Sequence, residues 1–104
     1  MAERADLVSP PAAADEQLSV LRRRIDAANE EILRAIERRG ALVLRIGRVK
    51  RKLGAAAVDP QREVEMLARV AALVRGPFPR ADIQKIFQAI VLASRALQAP
   101  GERD

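Results

Sequence analysis

The stretch LSVLRRRIDAANEEILRAIERRGALVLRIGRVKRKL, Leu18–Leu53, decides the fold. Its apolar residues recur at heptad spacing. One set runs Leu18, Ile25, Ile32, Ile46 and Leu53, broken only by Arg39; the companion set runs Leu21, Ala28, Ala35, Leu42 and Val49. A seam of this kind, sustained over about five heptads, specifies one long helix. Gly40 and Gly47 each cost roughly 1 kcal/mol relative to Ala in a helix, but the seam passes through both without a change of phase. Gly54 follows the last seam residue, where a helix stop belongs. A helix of about 40 residues is roughly 60 Å long at 1.5 Å per residue, whereas a compact chain of 104 residues has a radius of gyration of only ~13 Å. The rest of the chain is too short to cover it. A second copy must do so, and the expected assembly is a homodimer with first helices exchanged or crossed.

Outward from this helix, the chain reads as two more. Asp59 is a good N-cap and Pro60 a good first helical residue. The second helix is expected to run to about Val74, with the inner stripe Glu63, Leu67, Val70, Ala71 and Val74. Arg75-Gly76-Pro77-Phe78-Pro79 then breaks the chain. A third helix follows, with Asp82 near its start and the stripe Ile83, Ile86, Phe87, Ile90, Val91, Ser94, Leu97 and Gln98; Pro100-Gly101 ends it. Residues 1–14, with Ser9-Pro10-Pro11-Ala12-Ala13-Ala14, read as a flexible tail, Asp15 as the cap of the first helix, 15–99 as one helical domain, and 100–104 as a frayed end. The fold class is all-α.

Composition narrows the chemistry. The chain has no His and no Cys, so it lacks the commonest general base, the thiolate nucleophile and the usual zinc ligands. No zinc site is expected. A net charge of +5 suggests an anionic partner. Nucleic acid is disfavoured, because the chain has two Phe and no Tyr or Trp on which bases could stack. No apolar run approaches the ~20 residues of a membrane span. Met1–Ala14 carries Glu3, Arg4 and Asp6 without a long apolar core, unlike a secretory signal, so the cytoplasm is the expected location.

Four polar residues interrupt stripes that ought to be apolar: Arg39 on the first helix, Glu63 on the second, Ser94 and Gln98 on the third. Burying an unpaired charge is costly. Taken singly, most have an ordinary explanation: Ser94 can bond the carbonyl one turn back, Glu63 can pair with Arg62 or Lys50, Gln98 can be exposed near a helix end, and Arg22 and Lys50 sit in basic runs that read as solvated faces; Arg39 is harder to dismiss, though a partner carboxylate could satisfy it. Taken together, intrusions on all three helices point to a polar pocket between helices. Arg39 and Lys50, eleven residues or about three turns apart, point to nearly the same side. Arg22 and Lys50 are about 42 Å apart along one helix and can share a small ligand only if a partner copy supplies Arg22. A pocket with several cations, one carboxyl, one hydroxyl and one amide suits a small dianion. It also suits a reaction driven by holding one conformer and stabilising developing charge with fixed donors.

The ordered series Leu21-Arg22-x-x-Ile25-Asp26, Glu37-Arg38-Arg39, Ile46-Gly47-x-x-Lys50, Asp59-x-x-Arg62-Glu63 and Ile86-Phe87-x-x-Ile90 with Ser94 and Gln98 resembles the small all-helical chorismate mutases, from about Leu18 to Gln98. The resemblance implies an intertwined homodimer of three-helix chains and the Claisen rearrangement of chorismate to prephenate on the route to Phe and Tyr. It implies that Arg39 and the partner's Arg22 bind the substrate carboxylates, that Lys50 and Gln98 donate to the ether oxygen, and that Glu63, helped by backbone near Asp59, takes the ring hydroxyl. Arg62 and Ser94 would complete the carboxylate and polar wall, and the resemblance implies no cofactor or metal. Val58-Asp59-Pro60-x-Arg62-Glu63 and Gly76-Pro77-Phe78 look most like mutase domains joined to or paired with DAHP synthase, which implies a regulatory role beside such an enzyme. The alternatives on the same fold are an isochorismate pyruvate-lyase and a non-catalytic module that senses prephenate or chorismate.

Overall fold

The computed structural model describes residues 11–98, whose regular elements are three helices: α1 (Pro11–Leu53), α2 (Pro60–Ala72) and α3 (Arg80–Gln98). Among the described residues there is no strand, and no helix is long and apolar enough to cross a membrane. The chain divides into two compact units, one ending at Ala35 and the other beginning at Ile36.

α1 starts earlier than its sequence predicts. It begins at Pro11, and Asp15 lies inside the helix rather than capping it. Proline is at home in a first turn, where its missing N–H is no loss, and Ala12-Ala13-Ala14 are the best helix formers. Residues 11–14 therefore extend the helix rather than the expected tail. The expectations for residues 1–10 and for the frayed end at 100–104 lie outside the described residues.

The stop of α1 is as read. Gly54 takes a positive φ of 68°. Its N–H donates to the Arg51 carbonyl at 3.2 Å, and that of Ala55 to the Lys50 carbonyl at 2.9 Å, the paired bonds of a Schellman turn. Lys50, Arg51 and Lys52 occupy the last turn, where their charge suits the helix dipole. Because an L-residue in the left-handed region costs roughly 1–2 kcal/mol, Gly54→Ala is expected to lower unfolding stability by about that amount, read as a shift of the urea midpoint at constant slope.

In the second unit, Asp59 caps α2: its Oδ1 accepts from the Arg62 N–H at 3.1 Å, and Pro60 starts the helix. α2 ends at Ala72, short of the expected Val74, with Leu73 and Val74 donating to the Val70 and Ala71 carbonyls in a tightened last turn. α2 packs along α3. Met66, Leu67, Val70, Ala71 and Val74, like Ile83, Phe87 and Ile90, are half-buried, and Val91 is the one buried large apolar side chain among the described residues. Ile86, expected on this face, is 50% exposed. It lies about 100° round the helix from Phe87. Gln84 is half-buried instead and donates to the Leu67 carbonyl at 3.2 Å.

The long seam is uncovered in the single chain. Leu18, Leu21, Ile25, Ile32, Leu42, Ile46, Val49 and Leu53 range from 44% exposed at Leu18 to 76% at Leu53. An apolar row of that length facing water marks an interaction surface.

Candidate active site

A cleft of about 180 Å³ opens in the second unit between the end of α1, the start of α2 and the end of α3. Each helix contributes polar groups to it. Arg39 and Lys50 come from α1, Asp59 precedes α2, Arg62 and Glu63 open α2, and Ser94 and Gln98 come from α3. All seven site residues that the sequence assigns to one chain thus line one cavity. Arg22, assigned to a partner copy, lies in the first unit and is exposed.

The geometry fixes each group. The Arg39 guanidinium donates through Nη1 to Ser94 Oγ at 2.7 Å, and the Ser94 hydroxyl donates to the Ile90 carbonyl at 2.7 Å. Ser94 makes the local bond expected of a helical serine, and it also seats the arginine. Lys50 Nζ donates to the Ala57 carbonyl at 3.0 Å, which uses one of its three protons and leaves two. The Gln98 amide donates to the Val43 carbonyl at 3.3 Å and keeps a second N–H. Gly47 is buried beneath Gln98, and a Cβ at that position would stand 3.5 Å from Gln98 Cγ, an ordinary van der Waals contact.

Glu63 pairs with neither Arg62 nor Lys50. Its carboxylate accepts two bonds from Arg95, one from Nε at 3.2 Å and one from Nη2. The Glu63 hydrogen bond first, and its charge second, hold the Arg95 guanidinium above its usual pKa. Arg95 also lines the cleft and is the member that the sequence pattern does not single out. A signal for it exists: a carboxylate on an inner face calls for a cation across the packing interface, and Arg95 adjoins Ser94.

Electrostatically, the cleft is set for an anion. Among the described residues Arg39, Lys50 and Arg62 form no ion pair, while the Asp59 carboxylate is committed to its cap and Glu63 to Arg95. Val43, Ile46, Met66 and Val91 supply apolar walls, which strengthen charge interactions by excluding water. These features define a three-helix domain with a cationic cleft.

Comparison with known proteins agrees. Residues 21–99 match the family model of chorismate mutase type II. The chorismate mutase of Methanocaldococcus jannaschii is 32% identical over 84 residues, covering 80% of this chain and 85% of that one. The bifunctional chorismate mutase/prephenate dehydratase of Aquifex aeolicus is 34% identical over 87 residues; the chain spans about a quarter of the length of such bifunctional relatives. A solved chorismate mutase from Thermus thermophilus superposes with a TM-score of 0.79 at 42% identity, covering 84% of this chain and 99% of that one. The chain belongs to the chorismate mutase type II family. The bifunctional relatives carry a dehydratase, so their names lend no support to the synthase pairing expected from Val58–Glu63 and Gly76–Phe78.

Proposed function

We propose that the cleft binds chorismate and rearranges it to prephenate. The observation that carries this reading is the convergence of three cations without carboxylate partners, Arg39, Lys50 and Arg62, on one small cavity that also presents an amide donor from Gln98. Chorismate is a dianion. Its rearrangement breaks the enol-ether C–O bond while a C–C bond forms, and it needs no nucleophile, no proton transfer and no cofactor.

Each residue then has a task. Arg39, seated by Ser94, takes one carboxylate through its planar fork. The partner's Arg22 takes the other, and the uncovered α1 seam supports the intertwined homodimer that would bring it there. Lys50 and Gln98 aim their remaining donors at the ether oxygen, where negative charge builds as the bond breaks; fixed donors at developing charge are the main source of rate. Glu63 and the backbone at Asp59 receive the ring hydroxyl, which holds the compact conformer. Arg62 completes the carboxylate wall. The setting is the aromatic branch of amino-acid synthesis in the cytoplasm.

Product analysis tests this against its nearest rival. The purified domain is given chorismate and, separately, isochorismate. Conversion of the first to prephenate supports the mutase; salicylate and pyruvate from the second, with chorismate untouched, would replace it with the lyase. A regulatory role beside DAHP synthase rests on the segments Val58–Glu63 and Gly76–Phe78. Its test is inhibition of a synthase by the added domain, with and without prephenate; a synthase rate unchanged in both arms would end that reading.

A further inference from the structure

Arg95 has no task in the rearrangement as proposed, yet it occupies the cleft and grips Glu63 with two donors. Its side chain is 42% exposed and that of Glu63 24%. An ion pair so open to water adds little to stability, so packing energy does not account for it. Charge and geometry do. The cleft holds four cations, Arg39, Lys50, Arg62 and Arg95, and two carboxylates, Asp59 and Glu63. Within one chain the surplus is two positive charges, and the partner's Arg22 of the reading above raises it to three, enough to receive a dianion. Without Arg95, Glu63 would stand as an uncompensated anion in a pocket that must admit two more negative charges.

The bidentate contact also fixes direction. Glu63 lies in the first turn of α2 and Arg95 in the last turn of α3. The pair thus ties the carboxylate to the helix that carries Ser94 and Gln98. A carboxylate gripped through both oxygens still offers further lone pairs that can accept a hydroxyl, and the grip fixes the plane in which they lie.

We propose that Arg95 is a positioning residue that holds the Glu63 carboxylate where it receives the substrate's ring hydroxyl and balances its charge against the incoming dianion. This rests on the mutase reading above. Because the hydroxyl contact is made alike in substrate and transition state, its loss falls on KM more than on kcat.

The test uses the full chain with chorismate as substrate. Arg95→Gln is expected to raise KM about tenfold, as befits a charge-assisted hydrogen bond, with kcat within about twofold and thermal unfolding unchanged. Arg95→Lys, which keeps the charge and loses the fork, recovers part of the affinity. In a Glu63→Gln background, Arg95→Gln has little further effect. An unchanged KM in Arg95→Gln would overturn the proposal. So would additive losses in the double variant, which would put Arg95 on the substrate itself, or a KM that rises only in step with lost stability, which would make the pair structural. If the unaltered chain fails to convert chorismate, the mutase reading is what has failed, and the proposal falls with it. In an active chain, the KM of Arg95→Gln reports on the positioning role alone.

Discussion

Arg39→Ala is expected to fold and to lose about 100- to 1,000-fold in kcat/KM, the usual effect of removing one fixed donor from developing or bound charge. The reason begins with what Arg39 touches. It interrupts an otherwise apolar seam, is half-buried, and donates to Ser94 at 2.7 Å. Among the described residues it meets no carboxylate. Truncation therefore strands no buried anion, and Ser94 keeps its bond to the Ile90 carbonyl. The helix itself gains from Ala, the best helix former. Stability and assembly should survive while substrate binding collapses. Steady-state kinetics beside a thermal melt separate the two. Near-normal turnover would remove Arg39 from the site; a chain that no longer folds would make its role structural.

The second large effect tests whether two copies build one site. Arg22→Ala and Lys50→Ala are each expected to be nearly inactive as pure proteins. Mixed in equal amounts and allowed to exchange, about half of the dimers carry one altered chain of each kind. In each such dimer one of the two clefts pairs an intact Arg22 from one chain with an intact Lys50 from the other. Activity should return to about a quarter of the unaltered value, as two-fold symmetry requires. Failure to recover, with exchange verified by mass-tagged chains, would place every essential group of a site on one chain and leave the exposed seam of α1 with another purpose.

Much of the molecule is legible in the sequence because the signals are local. The α1 stop at Gly54 and the α2 start at Asp59-Pro60 are backbone chemistry written within a few residues, and both stand as read. The α1 start at Pro11 is harder to read, because a Pro- and Ala-rich stretch has the composition of a tail, although a proline in a first turn costs nothing. Periodicity places Arg39, Glu63, Ser94 and Gln98 on inner faces, and the cleft gathers all four. Periodicity is blind to the flanks of a stripe. It puts Ile86 inward and leaves Gln84 and Arg95 unremarked, since both depend on how α2 seats against α3. The Glu63–Arg95 pair, 32 positions apart in sequence, is a product of that seating. The length of the α1 seam implies an uncovered apolar row, and the single chain displays one.

The measurement that bears most directly on the central claim is the fall in chorismate absorbance on adding the purified chain, with prephenate identified as the sole product. The expected result is saturable conversion by a folded dimer, lost in Arg39→Ala. A folded, dimeric protein that binds chorismate and leaves it unchanged would contradict the claim, and would make the cleft a sensor rather than a catalyst.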